Sequence, residues 1–376
     1  MNNRPTLSIC IPAYNKSGRL KANLTSLLTA CNDEIEIVVV DNVSTENLEE
    51  VCKSFNDPRI SYYRNEEPIA AVANFIRSIR LAKGQWALLL MDRDLINGKG
   101  IPALIEVLKK NKTFGAAKIR GCPENGEEPY SKNSKIEKIE RFQPRKVDTL
   151  LAVNKGDHPS GYTYNKDFLT ISEDYEREIM RHPRYRDEAY LMFEPVWNHG
   201  FLEIFQTNLM SQPTSKYMRS YKSGWKASNT AAGSNNYHYD YFLPNGCMKY
   251  MREDLKEMLK FDLSLEEKKE LCVREYYGYA KYTFLWMISI PKSHFVWAHY
   301  NEKYKYRTRK TREKIASEFC EYYKETVKML LGDDAQDVLA EIKPLQVDWW
   351  TYMKPTIVAI PTVGPLLIKF KHLLRI

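Results

Sequence analysis

Two carboxylates, Asp92 and Asp94, follow a short apolar run in the amino-terminal third of the chain. Residues 87–90 read Ala-Leu-Leu-Leu, a pattern typical of a strand buried on both faces. In an extended backbone residues i and i+2 point to the same side, so this spacing predicts that the two carboxylates converge on one target. Hard oxygen ligands at the carboxyl end of such a strand suit a divalent cation that also holds phosphate. The alternative interpretation is a polar turn, because aspartate is common in turns.

The elements upstream of this run alternate between strand and helix. Apolar runs predict strands at residues 7–12, 35–40 and 60–63, and helical spacing predicts helices at 18–30 and 70–82. Ser44 or Thr45 is the predicted cap of a further helix that reaches residue 55. This alternation implies a parallel sheet wrapped by helices. Polar residues follow three of the strands and should share one edge of the sheet, which is the outline of a nucleotide site: Tyr14 and Asn15, Asp41 and Asn42, and Asp92 with Asp94.

Composition narrows the class of protein. The 376 residues carry a net charge of +8, which favours an anionic partner such as a nucleotide, a phosphorylated lipid or nucleic acid. The seven cysteines are widely spaced and include no C-x-x-C pair, which argues against a disulfide framework or a zinc cluster and fits a reducing cytosol. The sequence predicts no signal peptide, and no stretch has the ~20 uninterrupted apolar residues of a spanning helix.

Three segments in order carry a family resemblance: LSICIPAYNKSGRLKANLTSLL, EIVVVDNVSTENLEEV and the strand that closes on D-x-D. Together they resemble the family 2 glycosyltransferases, and within that family the bacterial enzymes of O-antigen, capsule and related surface-glycan assembly, including abequosyltransferase-like members. The resemblance implies an α/β protein with a GT-A (Rossmann-like) fold: a mixed, mainly parallel sheet flanked by helices. Helical spacing from residue 248 onward predicts a helical C-terminal region after it. The resemblance covers roughly the first third of the chain.

By this resemblance, a set of residues binds the nucleotide-sugar donor. Pro12, Tyr14 and Asn15 would lie against the nucleoside, Asp41 would hydrogen-bond the base, and Asn65 and Asn74 would lie beside the ribose and base. The resemblance also places Asp92 at the ribose or sugar and makes Asp94, with Asp92, the ligands of a divalent cation, Mn²⁺ or Mg²⁺. Arg93 stands where the family often has a third acid. Its side chain would either pair with a phosphate or point away from the site, and the i/i+2 alternation of an extended backbone favours the second.

Inverting transfer needs a general base that takes the proton of the acceptor hydroxyl. The family places an Asp or Glu about a hundred residues beyond the D-x-D, near a helix start. Asp187 and Glu188 match that position, with Glu194 as an alternative. Adjacent residues do not share a helix face, so only one of the two should point into the cleft, and Asp187 is preferred. The other interpretation is a solvated helix start, where acids are favoured by the dipole.

Three further segments bear on the site. Residues 122–147 are polar without a periodic apolar face and predict a surface insertion or mobile loop. Residues 156–164 contain two glycines and small hydroxyls beside His158, and the resemblance places them near the donor sugar and the acceptor. Residues 216–241 mix basic, aromatic and small residues and suggest a loop that binds a sugar or phosphate. His158 and His238 are each candidates for a metal or phosphate contact, although a lone histidine is more often structural.

The predicted organisation has three parts: a catalytic domain at 1–245, divided into a nucleotide-binding half (1–100) and an acceptor-side half (101–245), a helical region at 246–340 and an amphipathic tail at 341–376. The tail contains paired tryptophans, a broken apolar helix and terminal basic residues, and residues 301–314 are also basic. These features suit an interfacial segment on an anionic membrane. The alternatives are a helix docked on the core or a dimer contact.

The sequence therefore predicts an inverting, metal-dependent glycosyltransferase, bound peripherally to the cytoplasmic face of a bacterial membrane. Its donor would be a nucleotide-sugar, with a UDP-sugar preferred, and its acceptor a lipid-linked saccharide; no nucleic-acid partner is expected, and a homo-oligomer stays open. One alternative is a degraded nucleotide-sugar-binding protein, since Arg93 interrupts the acidic motif and the usual glycine after Asn65 is absent. The other is a basic protein associated with nucleic acid.

Overall fold

The computed structural model describes residues 4–30, 33–120, 133–154, 158–184, 186–211, 244–280 and 309–345. The chain divides into two compact units, Met1–Asn236 and Tyr237–Ile376. The domain boundaries predicted at residues 245 and 340 stay predictions.

The first unit is built on an eight-stranded sheet. Its strands run in the order β3-β2-β1-β4-β8-β6-β9-β7, with β8 and β7 antiparallel to their neighbours. A separate two-stranded sheet pairs β5 with β10. The strands are β1 (Leu7–Ala13), β2 (Ile35–Asp41), β3 (Ile60–Arg64), β4 (Trp86–Leu89), β5 (Leu95–Ile96), β6 (Ala116–Arg120), β7 (Lys135–Phe142), β8 (Tyr162–Asn165), β9 (Phe201–Thr207) and β10 (Met210–Ser211). The predicted mixed, mainly parallel sheet is confirmed.

Helices flank this sheet. Those described in the first unit are α1 (Ser17–Ala30), α2 (Leu48–Lys53), α3 (Ala71–Leu81), α4 (Ile101–Lys110), α5 (Val147–Val153), α6 (Glu173–Arg181) and α7 (Asp187–His199). Asn47 caps α2, since its side chain accepts from the backbone N–H of Glu50 at 3.1 Å. The prediction that Ser44 or Thr45 caps this helix is therefore wrong, because the chain makes a longer turn before the helix begins.

The strands at the centre of the sheet are buried on both faces. Every residue of β1, β2 and β4 is buried, as the continuous apolar runs predicted. A fully buried Ile, Val or Leu contributes about 1.5–3 kcal/mol relative to an exposed one, so this core holds the carboxyl ends of the strands firmly.

Residues 135–142 correct one prediction. This stretch, which was expected to belong to a surface insertion or mobile loop, forms β7 and pairs with β9 at the edge of the sheet. Its side chains are exposed or half-buried, so an edge position hides the apolar signal on which strand prediction depends. Residues 121–132 lie outside the described ranges.

The second unit is helical in its described part. Its helices are α8 (Pro244–Met258), α9 (Leu265–Glu275), α10 (Arg309–Leu331) and α11 (Gln336–Glu341), and a π-helical turn, Tyr276–Ala280, follows α9. Tyr276 packs against Phe319 and Tyr323 of α10, with ring centroids 5.9 and 4.9 Å away. Among the described residues no helix is long and apolar enough to cross a membrane. The predicted tail after residue 345 lies outside the described ranges.

Candidate active site

Five segments meet at the carboxyl edge of the parallel strands. The segments after β1, β2, β3 and β4 start there, and the segment before the antiparallel β8 ends there. β1 pairs with β2 on one side and with β4 on the other, so the strand order reverses between β1 and β4. Ligands of open α/β sheets bind in the crevice that such a reversal creates.

Asn15 joins the segment after β1 to the segment after β2. Its Oδ1 accepts from the backbone N–H of Thr45 at 2.9 Å and of Glu46 at 3.2 Å, and its own N–H donates to Ser44 Oγ at 2.8 Å. Asn15 has a φ of 58°, a left-handed conformation that asparagine adopts more readily than most residues. Its side chain thus shapes the crevice wall. Of its two neighbours that were predicted to bind the donor, Tyr14 is half-buried and Pro12 is buried in β1.

Asp41 is fully buried at the end of β2, and both of its oxygens are engaged. Oδ1 accepts from the backbone and the hydroxyl of Ser44, and Oδ2 accepts from Tyr62 Oη at 2.7 Å and Arg64 Nη1 at 2.5 Å. Burial, reinforced by the Asp41 carboxylate, raises the pKa of Tyr62 to about 12. Arg64 is the most accessible of these partners, with 42% of its side chain exposed.

Asn65 and Asn74 belong to a buried amide network. Asn65 Nδ2 donates to Asn42 Oδ1 at 2.8 Å and to Asn74 Oδ1 at 3.0 Å, and Asn74 Nδ2 donates to the carbonyl of Val40 at 3.0 Å. The oxygen and the nitrogen of the Asn74 side chain are thus both hydrogen-bonded, and Asn74 supports the wall. Asn65 Oδ1 is buried and has no hydrogen-bond partner among the described residues.

The two acids after β4 lie in a turn, in which the N–H of Asp94 donates to the carbonyl of Met91 at 3.0 Å. The extended-backbone argument for their convergence is therefore wrong, because the strand ends before them. Asp92 Oδ2 accepts from the N–H of Tyr14 at 3.0 Å and from Lys16 Nζ at 2.7 Å. Asp92 thus ties the segment after β1 to the turn, with its charge balanced by Lys16.

Asp94 is fully buried, and its two oxygens differ. Oδ2 accepts from Ser160 Oγ at 2.5 Å and lies 3.3 Å from His158 Nδ1. Oδ1 is buried and has no hydrogen-bond partner in the described part of the chain. Burial raises the pKa of the carboxyl to about 6, against the opposing effect of the nearby Arg93 charge.

Arg93 turns toward this site, contrary to the prediction that it points away. Its Nη2 lies 2.8 Å from His158 Nε2. A guanidinium only donates, so Nε2 is placed to accept. Nδ1 faces both Asp94 Oδ2 and the backbone N–H of Ser160, 3.3 Å away. The proton of the neutral ring is assigned to Nδ1 because the contact of Nε2 with the charged Arg93 is the shorter one. Burial, with the charges of Arg93 and Lys118, holds the pKa of His158 well below its ordinary value. His158 is therefore a neutral ring whose Nδ1 lies 3.3 Å from Asp94 Oδ2.

The described residues contain no group of three Asp, Glu, His or Cys side chains arranged to hold a metal ion. In the turn after β4 they offer a buried carboxylate oxygen, Asp94 Oδ1, that has no hydrogen-bond partner among the described residues. An unsatisfied buried carboxylate oxygen is costly, and a cation that takes its other ligands from phosphate and water would satisfy it. These residues fit a divalent cation that has Asp94 as a ligand.

The predicted general-base candidates lie in α7. This helix leads through Gly200 into the amino end of β9, which lies at the amino edge of the sheet. The start of α7 therefore lies toward the carboxyl edge. Asp187 and Glu188 are both buried, so the start of α7 is not solvated. The Asp187 carboxylate accepts from the N–H and from Nε of Arg184, each at 2.7 Å. Glu194 is exposed. The general-base assignment stays a prediction.

Sequence reasoning did not single out Lys16, Arg64 or Ser160. Ser160 lies in the glycine-containing segment that was flagged as a whole, but nothing in the sequence pairs it with Asp94, 66 residues away. Residues 155–157 and 212–243, which include His238, lie outside the described ranges.

Comparison with known proteins bears on the family and the fold of this chain. Residues 8–169 match the model of glycosyl transferase family 2, which confirms the predicted family for this segment. The chain is 32% identical to the putative colanic acid biosynthesis glycosyl transferase WcaA of Escherichia coli over 96 residues. The aligned segment is a quarter of this chain and 34% of that protein. The chain is also 36% identical to abequosyltransferase RfbV of Salmonella typhimurium over 86 residues, which are 21% of this chain and 26% of that protein. Such alignments span about a third or less of those relatives.

The fold also has a solved counterpart. The crystal structure of S. aureus TarS 1–349 superposes with a TM-score of 0.51 at 14% sequence identity, covering 97% of this chain and 91% of that one. At that identity the similarity establishes the fold alone.

Proposed function

We propose that this chain, whose residues 8–169 match the model of glycosyl transferase family 2, transfers a sugar from a nucleotide-sugar donor to a saccharide acceptor with inversion at the anomeric carbon. The observation that carries the proposal is Asp94, a buried carboxylate with one unsatisfied oxygen at the strand-order reversal. That position is where an α/β sheet binds a phosphorylated ligand.

The cation, Mn²⁺ or Mg²⁺, would be held by Asp94 and would neutralise charge on the leaving diphosphate. Asp92 is bonded to Lys16, so we assign it to orienting that lysine and the segment after β1. Lys16 would add a positive charge beside the diphosphate. Asp41 would bind the base after exchange with Arg64.

A carboxylate at the start of α7 would take the proton of the acceptor hydroxyl as its oxygen bonds the anomeric carbon and the bond to the diphosphate breaks. The sequence favours Asp187 for this role. Because Arg184 engages both oxygens of Asp187, we favour Glu188.

We further propose a UDP-sugar donor and a lipid-linked saccharide acceptor in bacterial surface-glycan assembly. The names of two similar proteins, a putative colanic acid biosynthesis enzyme and an abequosyltransferase, support the class of pathway. The basic and aromatic sequence of residues 349–376 supports peripheral attachment to the cytoplasmic membrane face.

Titration calorimetry with UDP, GDP, CDP and dTDP, each with and without Mn²⁺, tests the proposal on the wild type and on Asp94→Asn. We expect one nucleotide to bind in a manner that requires both Mn²⁺ and Asp94, and the corresponding nucleotide-sugar to be turned over. Binding without turnover of the donor, with or without acceptor, would favour the degraded binding protein. Absence of any nucleotide binding would refute the proposal.

A further inference from the structure

The side chains around Asp94 are arranged to leave only one of its oxygens available. We infer that Ser160 and His158 are positioning residues that hold Asp94 so that Oδ1 alone faces the cation, and that Arg93 acts on Asp94 through His158. This inference rests on the proposed function, because it concerns the same cation.

Ser160 fixes Asp94 relative to the end of β4. Its hydroxyl donates to Asp94 Oδ2 at 2.5 Å and accepts from the backbone N–H of Met91 at 2.9 Å. Met91 also closes the turn by accepting from the N–H of Asp94. Asp94 is therefore held through its backbone N–H and through its side chain. Rotation of its carboxylate would break a buried hydrogen bond.

His158 supplies the second contact with Oδ2. Its Nδ1 lies 3.3 Å from Oδ2, and its Nε2 lies 2.8 Å from Arg93 Nη2. The guanidinium can only donate, and it lies closer to the ring than the backbone N–H of Ser160, which also faces Nδ1 at 3.3 Å. We therefore place the ring proton on Nδ1, the nitrogen that faces Asp94. If Arg93 were absent, the ring could take its other tautomer and lose this donor.

The backbone that carries Ser160 and His158 is itself anchored. The buried Lys118 donates to the carbonyl of Ser160 at 3.0 Å and to the carbonyl of His158. Gly161 has a φ of +94°, and a Cβ there would lie 2.7 Å from the carbonyl oxygen of Ile119. This segment therefore presents both donors to Asp94 from a fixed position.

Asp92, the other acid of the motif, has different partners from Asp94. Its Oδ2 is bonded to Lys16 and to the N–H of Tyr14, whereas Asp94 has no lysine or arginine bonded to its carboxylate among the described residues. The two acids of the motif thus differ in their partners, and only Asp94 presents a buried oxygen that lacks a hydrogen bond.

The test measures Mn²⁺ affinity of the full chain in the presence of UDP, by electron paramagnetic resonance of free Mn²⁺. Ser160→Ala and His158→Ala should each weaken Mn²⁺ binding by about 10- to 100-fold, the usual effect of losing a partner of a metal ligand. Ser160→Thr keeps the hydroxyl and should restore most of the affinity. Ser78→Ala is the matched control, because it removes a buried hydroxyl that bonds only the carbonyl of Phe75 in its own helix.

A double-mutant cycle tests the path from Arg93. Arg93→Ala should weaken Mn²⁺ binding in the wild type but add nothing in the His158→Ala background, because its effect passes through the imidazole. Additive losses would overturn that part of the inference. Arg93→Lys, which keeps a donor, should lie between Arg93→Ala and the wild type.

Electron spin-echo modulation of the bound Mn²⁺ separates positioning from ligation. We expect no ¹⁴N coupling from a directly bound imidazole; a coupling that disappears in His158→Ala would overturn the inference by making His158 a ligand. If the wild type binds Mn²⁺ with UDP and every variant binds it equally well, this inference fails while the proposed function stands. If the wild type does not bind Mn²⁺ with UDP, the metal-dependent function fails with it.

Discussion

Replacing Asp94 with asparagine should stabilise the first unit while abolishing its affinity for Mn²⁺. Burial raises the pKa of this carboxyl from its ordinary 3.8 to about 6. At ~1.4 kcal/mol per pH unit, the ionised carboxylate then costs the folded state about 3 kcal/mol at pH 8. Asparagine has nearly the same shape, can accept from Ser160 and His158 through its oxygen, and carries no charge to desolvate.

The sign of the pH dependence follows from linkage. Below about pH 3.8 the carboxyl is protonated in the folded and the unfolded state, so it costs nothing; the cost grows as the pH rises and is complete above about pH 6. The gain from Asp94→Asn should therefore fall from about 3 kcal/mol at pH 8 to about 1 kcal/mol at pH 4.5.

Urea unfolding at these two pH values measures the gain in the free energy of unfolding. Hydrogen exchange of the β4 amides reports the unfolding, so that the first unit is the one observed. Asp33→Asn, at an exposed position, is the control and should change little at either pH. An Asp94→Asn variant less stable than the wild type at pH 8, or a gain that does not depend on pH, would refute this account of the buried carboxylate.

Three other perturbations have expected outcomes. Glu188→Gln should lower kcat by about 100-fold or more with little change in UDP affinity, as expected for loss of a general base. Asp187→Asn should chiefly lower the Tm. The reverse pattern would assign the general base to Asp187. Arg64→Ala should lower the unfolding free energy by about 1–3 kcal/mol, because the buried Asp41 carboxylate loses one of its hydrogen-bond donors. The same substitution should tighten UDP binding, as measured by calorimetry. Weaker UDP binding would mean that Arg64 contacts the nucleotide. Deleting residues 349–376 should reduce co-sedimentation with anionic liposomes, and unchanged co-sedimentation would exclude a membrane role for this segment.

The sequence by itself determined the buried parallel strands β1, β2 and β4 and the edge at which they end. The runs at β1, β2 and β4 are apolar without interruption because both faces of these strands are buried, so they are visible without any knowledge of their neighbours. The ends of these runs locate Asp41 and Asp94 at the carboxyl edge, because parallel strands share one direction.

Only the tertiary structure decided which partners these acids have. Asp94 receives Ser160 from a segment 66 residues away, and Asp92 receives Lys16 from 76 residues away, and no local pattern encodes such pairs. β7 was missed for a related reason: an edge strand buries too little for alternation to show. Local periodicity reflects burial, whereas hydrogen bonds between distant segments depend on how the whole sheet brings its loops together.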